Sequence, residues 1–226
     1  MSFVSIRQLK SLGYAALLCK EQGQLLLIGC LGCLSCLFIS CSKEETEAGE
    51  WDNWPQRNDI FFASLADSLD ANPNQWQRIL SYSQSAATYH DIDKYIYVKK
   101  LEEGTGTDSP AFTDSVRIIY QGRLIPSATF TEGYIFDSTV SGQFSSVTSS
   151  TTRLLVSNTV EGFSTALQYM HRGDRWRIFI PSSLGYGDND NSSGTIPGHS
   201  VLIFDLQLID FNHADQPMPA WSSRRN

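Results

Sequence analysis

Beyond Cys41 the chain contains no cysteine: all five (Cys19, Cys30, Cys33, Cys36 and Cys41) lie in its first 41 residues. The 185 residues that follow have no disulfide framework and no thiolate metal site, and they can fold in an oxidising compartment without mispairing. Positive charge is also short. Seventeen Lys and Arg stand against 24 Asp and Glu, a formal net charge of −7 with no basic stripe, which argues against nucleic acid as a partner. His90, His171, His199 and His213 show no metal-ligand spacing. No Ser/His/Asp arrangement is apparent, and Gly104-Thr105-Gly106 is too short for a phosphate loop. The run Asp188-Asn189-Asp190-Asn191-Ser192-Ser193-Gly194 has alternating oxygen ligands. For a calcium loop, however, its glycine is one place late and His199 occupies the twelfth position, so it reads as a surface loop. No metal or cofactor is expected.

What is present describes an ordinary globular chain, with 41% hydrophobic and 18% charged residues in 226, room for one domain with attachments or two small ones. Arg7, Lys10 and Lys20 give a basic lead. Leu25 to Ser40 is an uncharged, largely apolar run of 16 residues, short of the ~20 that a spanning helix needs. Polarity changes abruptly at Cys41-Ser42-Lys43-Glu44-Glu45, so residues 1–40 read as a signal peptide. Phe38-Ile39-Ser40-Cys41 resembles the lipobox of bacterial lipoproteins, which implies lipidation of Cys41 as the new N-terminus. Leu27-Ile28-Gly29-Cys30 is the better local match, but cleavage there would leave Leu31 to Ile39 on the mature chain. An uncleaved signal anchor is the alternative. Ser42 to Glu45 looks like a short acidic export tag or, more plainly, a solvated linker. Without residues 1–40 the chain keeps 14 basic and 23 acidic side chains, a net −9, so lipid rather than a charged face would hold it at the membrane.

Residues 41–57 suit a polar tether. Residues 58–90 read as a short helical segment: Ile60, Phe61, Leu65 and Leu69 approximate one helical face, then Asn72-Pro73 offers a cap and first-turn proline for a second helix carrying Trp76, Ile79 and Leu80. From residue 91 to 212 the period is that of strands. They are Tyr95 to Leu101, a strand through Val116, Ile118 and Tyr120, another through Trp176, Ile178 and Ile180, and Val201 to Phe211. Between them Phe163, Ala166, Leu167 and Met170 fall at helical spacing, with Gly173 where a cap belongs. An α+β domain with one helix on an antiparallel sheet follows, with residues 213–226 a polar tail.

From about Tyr95 to Phe211 the chain resembles the FKBP family. The resemblance rests on Asp114 to Gly122 (ending Tyr-Gln-Gly), Phe136-Asp137-Ser138, Val160-Glu161-Gly162-Phe163, Leu184-Gly185-Tyr186-Gly187 and Ile196 to Asp205, in that order. It implies a twisted antiparallel sheet wrapped around one short helix, with a proline ring held in an apolar pocket between them. Phe163 would be the floor, in place of a tryptophan. Tyr120, Phe136, Val160, Ile196 and Phe204 would be the walls. Tyr186 and the Val160 N–H would bind substrate carbonyls, and Asp137 would sit at the rim. Each has a plainer reading: core aromatics for the rings, a satisfied backbone group for Tyr186, and turn chemistry for Asp137 with Ser138. The departures from the family are Phe163, an insertion at Phe130 to Ile135, and a Ser/Thr-rich stretch from Ser141 to Thr152. Leu154 replaces an aromatic and Asp188 to Ser193 lengthens the loop over the pocket; Phe144 has no assigned place. The function implied is peptidyl-prolyl cis-trans isomerisation of exported or envelope proteins, on proline-containing clients, at the outer membrane through the lipid. A macrolide-type compound is the implied inhibitor class. The alternative is a non-catalytic FKBP-like chaperone or binding module.

Overall fold

The computed structural model describes residues 49–84, 91–214 and 216. The signal peptide, Cys41, most of the tether and the last ten residues lie outside the described residues. Among the described residues no helix is long and apolar enough to cross a membrane.

The helix α1 (Trp54–Ala71) starts earlier than the sequence suggests, because Pro55 sits in its first turn, where the missing N–H costs nothing. Its buried residues Trp54, Asn58, Phe62 and Leu65 recur every three to four positions and so form one face. Asn72 closes it by donating its N–H to Ser68 and Leu69 carbonyls, and Pro73 prevents continuation.

The expected second helix at Trp76, Ile79 and Leu80 is instead a strand, β1 (Trp76–Leu80). Five residues hold little more than one helical turn, too short to be stable alone, whereas the open edge of β2 (Tyr95–Glu102) pairs with all five. Trp76 then stacks on Phe179 at 5.4 Å, and the Arg78 guanidinium lies 4.4 Å over the Tyr95 ring.

The remaining elements are β3 (Ser115–Arg123), β4 (Ile135–Ser138), β5 (Thr152–Leu155), α2 (Glu161–Tyr169), β6 (Arg175–Ile180) and β7 (Leu202–Asn212). The sheet runs β1-β2-β6-β7-β3-β4, with β5 also on β3, and every pair is antiparallel.

Pleating sends alternate residues of each strand to opposite faces. Ile96, Ile180 and Phe204 meet α2, which buries Phe163, Ala166, Leu167 and Met170 as its spacing requires. Gly162 permits this approach: a Cβ there would lie 2.3 Å from Ile180 Cγ2. Tyr97 and Phe179 point the other way and meet Phe62 and Phe61 of α1 at ring distances of 5.2 and 6.1 Å. The sheet therefore has a helix on each face. Gly173 is not the cap of α2, since Met170 takes that position. It turns the chain toward β6 with φ 92° and donates its N–H to the Leu208 carbonyl.

Candidate functional site

Between the start of α2 and the sheet lies a cleft of about 470 Å³. Its base is aromatic. The buried Phe163 ring meets Phe204 edge-on at 4.9 Å, Tyr120 stands 6.2 Å from both, and Phe136 meets Phe204 edge-on at 5.4 Å. Each ring comes from a different element: β3, β4, α2 and β7. Gly122 lets them converge, because a Cβ there would lie 2.6 Å from both Phe136 and Phe204.

At the rim the Tyr120 hydroxyl donates to Asp137 Oδ2 at 2.5 Å, the short distance expected of a bond to an ionised acceptor. The two residues come together because β4 lies alongside β3 with Gly122 opposite Asp137, next to an irregularity in register. Thr139 fixes the backbone of Tyr120 from the far side, accepting from its N–H and donating to its carbonyl. Burial, then the Asp137 hydrogen bond and charge, push the Tyr120 phenol well above the usual tyrosine range, so it stays a donor.

Val160 stands immediately before α2 in extended conformation, its carbonyl accepting from Phe163 and Ser164. Glu161, in the first turn, accepts from the hydroxyls of Ser81 and Ser83, which ties the chain after β1 to the start of the helix. A carboxylate there also suits the positive end of the helix dipole. Nothing in the sequence marked this link, since it joins residues 80 apart.

The structure brings Tyr120, Asp137, Val160, Phe163, Tyr186 and Phe204 to the cleft's lining. Phe136 and Ile196, which the sequence suggested as walls, fall outside it. Phe136 is half-buried against Phe204, and Ile196 is in the core at 2% exposure. Tyr186 is half exposed.

Residues 106–209 match the family model described as FKBP-type peptidyl-prolyl cis-trans isomerase. This part of the chain belongs to that family. Among curated proteins, "Macrophage infectivity potentiator" of Trypanosoma cruzi is 36% identical over 111 residues, covering 49% of this chain and 50% of that protein. "FKBP-type 22 kDa peptidyl-prolyl cis-trans isomerase" of Escherichia coli is 32% identical over 110 residues, covering 49% and 47%. "Outer membrane protein MIP" of Legionella longbeachae is 29% identical over 152 residues, covering 67% and 59%. The chain thus spans about half the length of the curated relatives it matches. A solved peptidyl-prolyl cis-trans isomerase from Pseudomonas syringae superposes with a TM-score of 0.50 at 25% identity, over 73% of this chain and 98% of that one.

In the FKBP-type domain the departures from the family pattern have definite places. Leu154, where an aromatic was expected, lines the cleft, and so do Ser157, Asn158 and Thr159 from the single turn before α2. These polar residues were not anticipated; their only signal was adjacency to Val160. Phe144 is remote from the cleft, with the Arg175 guanidinium 4.0 Å over its ring. Phe130, in the expected insertion, packs edge-on against Tyr134 at 5.1 Å. The acidic loop closes on itself: Asn191 Oδ1 accepts from the N–H groups of Thr195 and Ile196, and Asp190 accepts from that of Gly198.

Proposed function

We propose that the protein is a peptidyl-prolyl cis-trans isomerase acting on X–Pro bonds of exported or envelope polypeptides. The observation that carries this reading is the aromatic cleft of Phe163, Phe204 and Tyr120 with Asp137, Tyr186 and Val160 around its mouth. The family match and the names of the relatives support it.

Amide resonance sets a barrier of ~18–20 kcal/mol to rotation about the bond, and uncatalysed exchange takes tens to hundreds of seconds. No nucleophile is required. Twisting the amide decouples nitrogen from carbonyl and lowers its polarity, so an apolar, water-poor cleft favours the twisted form over the planar one. Phe163 and Phe204 take the proline ring, with Phe136 backing Phe204. The Tyr186 hydroxyl and the Val160 N–H bind carbonyls of the flanking chain and hold it while the bond turns. Asp137, held by Tyr120, sets the field beside the reacting amide. Ile196 supports this wall from the core instead of touching substrate.

An envelope location is supported by the lipobox-like Phe38 to Cys41, the lack of cysteine beyond it, and the outer-membrane name of one relative. In this reading the lipid on Cys41 anchors the protein, its clients are proline-containing chains, and macrolide-type compounds compete in the cleft. A binding-only module is the second reading, favoured by Leu154 and the polar Ser157 to Thr159 in a cleft that a proline ring needs dry.

Exchange NMR on a series of X-Pro-Phe peptides separates the two. Catalysed exchange is expected, reduced at least about tenfold in Asp137→Ala and in Phe136→Ala proteins that keep the native circular dichroism. A folded wild-type protein that accelerates no peptide in the series would establish the binding module instead.

A further inference from the structure

The segment between β6 and β7 carries Tyr186 to the cleft and then runs through Ile196 to Val201. Most of its hydrogen bonds are internal. Gly187 donates to Ser182, His199 donates to Gly187, Asn191 holds Thr195 and Ile196, and the Ser200 hydroxyl donates to Pro197. Such a closed loop keeps its own shape but does not fix its position against the sheet.

Two buried bonds do that, and both come from α1 on the opposite face. The Trp54 indole Nε1–H donates to Ser200 Oγ at 2.9 Å, and Asn58 Oδ1 accepts the Val201 N–H at 2.8 Å. All four residues are at most 3% exposed. Asn58 is itself held, its amide donating to the Trp54 carbonyl at 2.8 Å, so its oxygen is presented in one orientation. An asparagine is an unusual choice on the buried stripe of a helix; it belongs there because Val201 has no strand partner and its N–H needs an acceptor.

We propose that Trp54 and Asn58 are positioning residues for the cleft: α1 clamps the exit of the 185–201 loop and thereby sets where Tyr186 stands. This rests on the isomerase reading for its effect on rate, but not for the clamp itself. Two substitutions test it in the full chain. Trp54→Phe removes the donor and keeps an aromatic ring; Asn58→Leu leaves the Val201 N–H unpaired. Amide hydrogen exchange is expected to accelerate across 187–201 by about tenfold or more in either variant, while α2 and the centre of β3 keep their protection. In the peptide assay kcat/KM is expected to fall several-fold with Trp54→Phe, and to fall little further when Trp54→Phe is added to Tyr186→Phe.

Unchanged loop exchange, or acceleration spread equally over β2, β3 and α2, would reduce α1 to general packing and overturn the proposal. Fully additive losses in the Trp54 and Tyr186 pair would overturn the route through Tyr186. If Asn58→Leu does not fold, Trp54→Phe decides alone. If the wild-type protein catalyses no exchange, the isomerase reading falls while the amide data still judge the clamp.

Discussion

On one face of the sheet, α2 comes close enough that Gly162 has no room for a side chain, yet it leaves a cleft beside its first turn. On the other, α1 lays Phe61 and Phe62 on Phe179 and Tyr97, and no such cleft intervenes. Beside α1 the same face carries charge: Asp205, 5% exposed, takes two hydrogen bonds from Arg177 at 2.6 and 2.9 Å with Arg123 at 3.8 Å. Neighbouring residues of β7, Phe204 and Asp205, thus serve the cleft and the ion pair respectively. The period of a strand divides binding surface from scaffold within two residues.

That division is broken most severely at Phe204. Phe204→Ala empties the meeting point of the rings and is expected to cost ~3–5 kcal/mol of stability, read by denaturant unfolding. It should also lower kcat/KM by more than about tenfold at denaturant-free conditions where the variant remains folded. One position to the side, the ion pair gives the converse. Arg177→Met strands the Asp205 carboxylate with Arg123 alone. Because Arg177 is partly exposed, the expected loss is about 1–2 kcal/mol, with kcat/KM within about twofold of wild type. A large loss of activity there would mean that the two faces are not separable.

The two sides were unequally legible in the sequence. The α2 side could be read because its residues come in short, ordered groups: the Phe163, Ala166, Leu167, Met170 spacing and the pairs Phe136-Asp137 and Tyr186-Gly187. The α1 side could not. Trp76, Ile79 and Leu80 fit a helical stripe as well as a strand, and only the free edge of β2, a tertiary fact, decides between them. The hydrogen bonds from α1 to Ser200 and Val201 span 146 and 143 residues and leave no local trace. Within the cleft, Ser157 to Thr159 escaped notice for a related reason: a single turn before a helix has no period to detect. Ile196 was placed too near the substrate because sequence order shows adjacency to the loop but not depth in the core.

The smallest expected effects compare one residue type on the two faces. Tyr97 is fully buried under α1, and its hydroxyl has no hydrogen-bond partner among the described residues. Tyr97→Phe removes an unpaired polar group and is expected to raise stability by up to about 1 kcal/mol. Tyr120 differs in having Asp137. Its folded pKa lies above the unfolded value of about 10, so the folded state holds the phenolic proton more tightly. The stability this confers is complete below pH 10 and is lost as pH rises from there toward the folded value, because the unfolded chain releases the proton first. Denaturation midpoints measured from pH 8 to 11 should therefore fall less steeply in Tyr120→Phe than in wild type, while Tyr97→Phe should keep the wild-type slope above pH 10 if its phenol titrates alike in both states. Equal slopes for Tyr120→Phe and wild type would mean that the hydrogen bond to Asp137 does not hold the phenolic proton, and the rim of the cleft would lose its one fixed donor–acceptor pair.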